Sequence, residues 1–161
     1  MREKVLTTET KSQYPIVIFR VRTRLCALAT VHVHETMRPL PTQLLAAAPD
    51  FVVGVALIRG AAVPVVDAGA LLGETGKPNA TRFVTLRIGE RSIALAVEAI
   101  LGIREFDPAS LQQLPPLLRD ASSEVLSALG TLDAELLSLL NLARTLTEPV
   151  LHALELSERA A

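Results

Sequence analysis

Aromatic side chains are scarce in this chain: they make up 3% of 161 residues, and there is no tryptophan. Platforms that stack bases or sugars need aromatic faces, so this scarcity argues against nucleic-acid and carbohydrate ligands. No charge excess is present either. The 16 Lys and Arg residues stand against 17 Asp and Glu, for a net charge of −1. A phosphate-backbone binder draws on a basic surplus that is missing here. The single cysteine, Cys26, excludes an internal disulfide framework and any cysteine-rich metal site. The richest apolar stretch, 51–66, is broken by Arg59 and Pro64 and is too short to span a bilayer. The first residues lack an apolar segment of signal-peptide length. Together these absences predict a cytoplasmic protein with no nucleic-acid partner and no direct membrane insertion.

What is present is a series of short β-branched and aliphatic runs. Residues 16–21 and 25–29 flank Arg22-Thr23-Arg24, which reads as a hairpin tip. Residues 52–58 and 61–66 turn at Arg59-Gly60, where glycine supplies the positive φ of a tight turn. Residues 83–88 and 92–97 turn at Gly89-Glu90. Strands this short, punctuated by Gly and Pro, predict a mainly β fold of small barrels or a sandwich. Asp67 caps a predicted helical turn running to Leu72, and residues 147–158 predict a longer C-terminal helix.

The chain also repeats itself. Displaced by 67 residues, Arg20-Val21 falls on Arg87-Ile88, Ala27-Leu28-Ala29 on Ala94-Leu95-Ala96, Val33 on Ile100 and Thr36 on Ile103. Displaced by 74, residues 63–67 fall on 137–141 and Leu72 on Leu146. Two related units follow, roughly 16–73 and 83–147, joined by the Gly- and Pro-containing stretch 73–80. Residues 1–14 are expected to fray, 15–148 to form a single domain, and 149–161 to form a helix and tail.

Residues 53–67, V-G-V-A-L-I-R-G-A-A-V-P-V-V-D, resemble the most recognisable segment of CheW-like domains, V-x-G-V-I-N-L-R-G-x-x-x-P-V-I-D-L. Val31-His32-Val33-His34-Glu35-Thr36 resembles the family's V-x-E-I segment, and residues 94–100 its G-L-x-V-D-x-V. Residues 136–146 stand where the family has L-x-x-L-L-D-x-x-x-L-L. The resemblance covers about 16–147. It implies two packed SH3-like five-stranded β-barrel lobes with short helices, an end strand exchanged between them, and no catalysis. It further implies an adaptor between a chemoreceptor cytoplasmic tip and the regulatory domain of a CheA-type histidine kinase. Carried over by position, Val33, Ile100 and Ile103 would line a receptor groove, with Thr36 the repeat counterpart of Ile103. Glu35, Gly54, Arg59 and Gly60 would serve the kinase side. Several positions depart from the family: Leu57 replaces Asn, Thr36 replaces Ile, Gly102 stands where an acid is usual, and 68–70 lacks the Arg-rich text that follows the Asp.

Two other readings compete with the adaptor. Val65-Val66-Asp67-Ala68-Gly69-Ala70 approaches the active-site text of retropepsin-like aspartic proteases, but Ala68 lacks the hydroxyl that braces their dyad. Asn141, the repeat counterpart of Asp67, is another good cap, which favours a structural role for both. The second alternative is a small-barrel scaffold in a related surface-sensing or motility pathway. No cofactor is implied. His32 and His34 have no third ligand at a suitable spacing, so no metal is expected.

Overall fold

Apolar runs without alternation mark strands covered on both faces, whereas strict alternation marks one wet face. The computed structural model, which describes residues 14–88, 90–106, 112–113, 126–132 and 135–140, shows this in its central strands. The segment before residue 14 and the expected C-terminal helix lie outside the described residues. Strand β1 (Tyr14–Val21) turns at Arg22-Thr23 into β2 (Arg24–Ala29). A single 3-10 turn (Thr30–His32) leads to β3 (Val33–Met37). Then come β4 (Thr42–Gln43), β5 (Val52–Ile58), β6 (Ala61–Asp67) and the one-turn helix α1 (Ala68–Leu71). The second half holds β7 (Arg82–Ile88), β8 (Arg91–Val97), β9 (Ala99–Phe106), β10 (Gln112–Gln113), β11 (Leu126–Leu132) and β12 (Glu135–Leu140).

The fold is mainly β, as expected, but among the described residues each sheet has six strands rather than five, and neither closes on itself. One sheet runs β10-β11-β12-β2-β1-β9 and the other β3-β7-β8-β6-β5-β4. The additional members, β4 and β10, are two-residue strands, too short to leave a pattern in sequence.

The sheets divide the chain differently from the repeat. Each repeat unit contributes strands to both sheets. The β1–β2 hairpin of the first unit joins β9–β12 of the second, while the β7–β8 hairpin joins β3–β6. The registers show that this exchange is reciprocal. Val33 pairs with Leu86 and Glu35 with Thr85, leaving His34 in a bulge; displaced by 67, these become Ile100 with Phe19 and Gly102 with Ile18, leaving Leu101 in a bulge. Val65 pairs with Ala94 in parallel, and its counterpart Leu139 pairs in parallel with Ala27. The shifts seen in the sequence therefore reproduce strand register and bulges.

Among the described residues the core has three parts. Val17, Phe19, Val21, Cys26 and Leu28 of the first sheet face Val66, Val84, Leu86, Ile93, Leu95 and Val97 of the second, and helix α1 adds Ala68 and Leu71. The alternate residues Ile16, Ile18, Leu25 and Ala27 pack with Phe106 on the far side of the first sheet. Ala56, Ile58, Val63, Val65, Phe83, Ala94 and Ala96 do the same for the second. Period-two alternation thus sends successive residues of one apolar run into two different clusters.

Candidate partner-binding site

The turn between β5 and β6 is built by backbone conformation. Arg59 has φ 50° and Gly60 φ 79°. Two successive positive φ values are the signature of a type I′ turn, whose twist matches that of the flanking strands. The turn holds Arg59 out from the sheet, with its side chain 73% exposed.

Its partner is Glu35, placed by the bulge in β3. There the Glu35 N–H donates to the Thr85 Oγ1 (3.0 Å), while the Thr85 hydroxyl donates back to the Glu35 carbonyl (3.1 Å). The buried hydroxyl thereby replaces ladder bonds that the bulge interrupts. The Glu35 carboxylate then receives Arg59 through both oxygens, from Nε at 2.8 Å and from a terminal guanidinium nitrogen at 2.7 Å. This fork-to-fork geometry is specific to arginine. The Arg59 hydrogen bond holds the Glu35 carboxyl below the usual carboxylate range, and Glu35 raises Arg59 in turn. In the sheet order, β3 and β6 are three strand spacings apart, about 14 Å if flat. The Glu35 and Arg59 side chains together bridge the intervening strands.

The other predicted site residues fall into three groups. Val33 and Ile100 are half-buried and pack against the same core cluster, between the sheets. Their counterparts further along, Thr36 and Ile103, are exposed, Ile103 to 66%. Gly54 and Gly60 shape backbone. A Cβ on Gly54 would meet the Gln43 carbonyl, with the Gln43 carbon at 2.9 Å, so its bareness lets β4 lie against β5. His32 and His34 are both exposed, and among the described residues no group of three metal-ligating side chains forms.

Sequence reasoning missed a polar cluster that centres on Arg22. At the β1–β2 turn (φ 56°) its guanidinium bends inward instead of into solvent, and its side chain is 13% exposed. It donates to Asp67 Oδ2 at 3.0 Å and Oδ1 at 3.2 Å, to Glu98 Oε1 at 2.8 Å and to the Gly76 carbonyl at 3.2 Å. Its main-chain N–H donates to Glu98 Oε2 at 2.8 Å. The Asp67 hydrogen bond drives the Arg22 pKa further above its ordinary value, outweighing the opposing effect of burial. Asp67 Oδ1 also accepts from the Gly69 N–H at 3.0 Å, capping α1 as expected. With both oxygens committed to Arg22 and the helix cap, Asp67 offers no free carboxylate to a catalytic dyad, and the protease alternative has no support. The available signal was the conjunction of Asp67, a bare Gly69 and an arginine at a tight turn.

No helix among the described residues is long and apolar enough to cross a membrane. The chemotaxis protein CheW of Klebsiella aerogenes is 25% identical over 105 residues, which is 64% of this chain and 63% of that protein. The chain thus spans just under two thirds of that relative. The chemotaxis protein CheW of Rhizobium meliloti (strain 1021) is 28% identical over 107 residues, 65% of this chain and 69% of that protein. The crystal structure of the scaffolding protein TtCheW from Thermoanaerobacter tengcongensis superposes with a TM-score of 0.72 at 22% identity, covering 80% of this chain and 89% of that one. That likeness is one of fold. A family model described as the CheW-like domain matches residues 15–150. The chain belongs to the CheW-like domain family.

Proposed function

We propose that this protein is a non-catalytic, cytoplasmic adaptor of chemotaxis signalling that links a chemoreceptor cytoplasmic tip to the regulatory domain of a CheA-type histidine kinase. Family membership supports the chemotaxis role, and the names of the relatives point the same way. The observation that carries the site is the Arg59–Glu35 pair. An arginine held by both oxygens of a neighbouring carboxylate, yet 73% exposed, keeps donors free for a partner in an ordered orientation. Gly54 and Gly60 serve this surface by shaping the strands beneath it. The second surface is apolar: Val33 and Ile100, with Thr36 and Ile103 at its rim, suit one face of a helical hairpin such as a receptor tip.

The test is calorimetric titration of the full chain with a kinase regulatory domain and, separately, with a receptor-tip fragment. Arg59→Glu is expected to weaken kinase-domain binding by about tenfold or more, because it sets like charge against Glu35 and removes the donor fork. Val33→Glu is expected to do the same to receptor binding only. If the wild-type chain binds neither partner, the adaptor reading is wrong. If Arg59→Glu leaves kinase binding intact, Arg59 is outside that interface.

A further inference from the structure

The cluster of Arg22, Asp67 and Glu98 has no task in the adaptor reading. We propose that Arg22 is a latch setting the position of the first sheet against the second, and through it the spacing of Val33 and Ile100. The consequence for binding rests on the adaptor reading, whereas the latch itself rests on geometry alone.

Arg22 belongs to the first sheet, at the turn between β1 and β2. Its two acidic partners lie at the strand ends of the second. Asp67 ends β6 and Glu98 directly follows β8, and these two strands are parallel neighbours. One guanidinium therefore ties a turn of one sheet to the ends of two central strands of the other. Glu98 is also the single residue between β8 and β9, where the chain crosses back to the first sheet. Its main-chain N–H donates to the Arg20 carbonyl at 3.0 Å, while its carboxylate holds both the side chain and the main chain of Arg22. Ile100 lies two residues further on, so β9 starts where the latch places it.

Packing and the cluster differ in directionality. The shared core is apolar and its attraction is non-directional. Charge-assisted hydrogen bonds from a planar fork have fixed directions. Gly69 leaves the room they need. A Cβ there would lie 2.5 Å from the Arg22 guanidinium carbon and 2.7 and 2.8 Å from its two terminal nitrogens. The guanidinium occupies the space of the missing side chain. The repeat supplies an internal comparison: the counterparts of Arg22, Asp67 and Glu98 are Gly89, Asn141 and Val31, none of them charged. The latch is built into one junction of the pair.

Gly69→Ala is the discriminating variant. The atoms it displaces are the far end of a flexible side chain, so the fold tolerates it while the latch is evicted. Receptor-tip affinity is expected to fall about fivefold or more, since Val33 and Ile100 come from different sheets. Kinase-domain affinity, which depends on Arg59 and Glu35 within one sheet, is expected to stay within about twofold. A partner-free readout uses spin labels at Gln43→Cys and Glu105→Cys, exposed residues of different sheets. Burial pushes the Cys26 thiol up to about 12, so it does not compete for the label. The inter-sheet distance distribution is expected to be narrow in the wild type and to shift or broaden in Gly69→Ala and in Arg22→Met. An unchanged distribution in both variants overturns the latch. A changed distribution with unchanged receptor affinity overturns its role in binding, as do equal losses toward both partners. Wild-type binding to neither partner, together with a broadened distribution in the variants, sinks the adaptor reading and supports the latch.

Discussion

Replacing Arg22 with methionine keeps an unbranched side chain and removes the charge. Four side-chain hydrogen bonds go with it, two to Asp67 and one each to Glu98 and Gly76. What remains is worse than an empty site. Asp67 Oδ1 and Glu98 Oε1 lie 3.2 and 2.8 Å from the same guanidinium nitrogen, so they are no more than 6.0 Å from each other. Two unit charges at that distance repel by about 3 kcal/mol at an effective dielectric of about 20. Breaking a buried ion pair by removing one partner costs about 3–5 kcal/mol, and the low end applies here because each side chain keeps some contact with water. Urea unfolding at pH 7.5 should therefore show Arg22→Met less stable by about 3 kcal/mol. The double variant Arg22→Met/Glu98→Gln removes the repulsion and keeps an oxygen for the Arg22 main-chain N–H. It should recover about 1–2 kcal/mol of that loss, a coupling typical of groups in contact. A loss below about 1 kcal/mol for Arg22→Met, the range of solvent-exposed pairs, would refute the reasoning that the cluster is buried and cooperative. So would a double variant less stable than the single one.

Two further outcomes follow from burial and pairing. Cys26 is fully buried, and its thiol is pushed up to about 12, chiefly by desolvation. At pH 8 the folded protein should therefore resist a thiol reagent such as iodoacetamide and react only when urea unfolds it; rapid native-state labelling would contradict the placement of Cys26 in the shared core. Glu35 should titrate below the usual carboxylate range by NMR and return toward it in Arg59→Ala. A folded-state pKa below the unfolded one contributes stability that is present above the unfolded value and lost as pH falls through the folded value. Because the pair is exposed, the chemical-shift titration is the informative readout rather than the melting temperature.

Much of the fold was legible because its signals are local. The Arg59-Gly60 turn, the Asp67 cap and the apolar runs each follow from a few adjacent residues. The repeat extended that reach, since equivalent residues keep equivalent registers. It could not show which strands pair, because a repeat says which segments are alike and not which are neighbours. Pairing within each unit and exchange between units give the same sequence pattern. Arg22 was illegible for a related reason. A turn arginine defaults to solvent, and the groups that reverse this come from 45 and 76 residues away, Asp67 and Glu98. Gly69 completes the reversal by a side chain it does not have. The Glu35–Arg59 pair needed the strand order of the second sheet, which sets β3 and the β5–β6 turn within reach of two long side chains.

The exchange of hairpins has a consequence for synthesis. A chain emerging from its N-terminus can finish the second sheet once β8 is complete at Val97, because all its strands lie between Val33 and Val97. The β1–β2 hairpin comes out first and waits longest. Its neighbours β9 and β12 arrive later, the latter at Leu140, about 110 residues after Ala29. At about 5–20 residues per second the β2 edge of the hairpin stays bare for some 5–20 s, while the β1 edge is covered sooner, once β9 has emerged. Unpaired apolar strand edges recruit other chains. A chain truncated after Val97 would thus hold one complete sheet and one orphan hairpin, and should aggregate where the full-length chain does not.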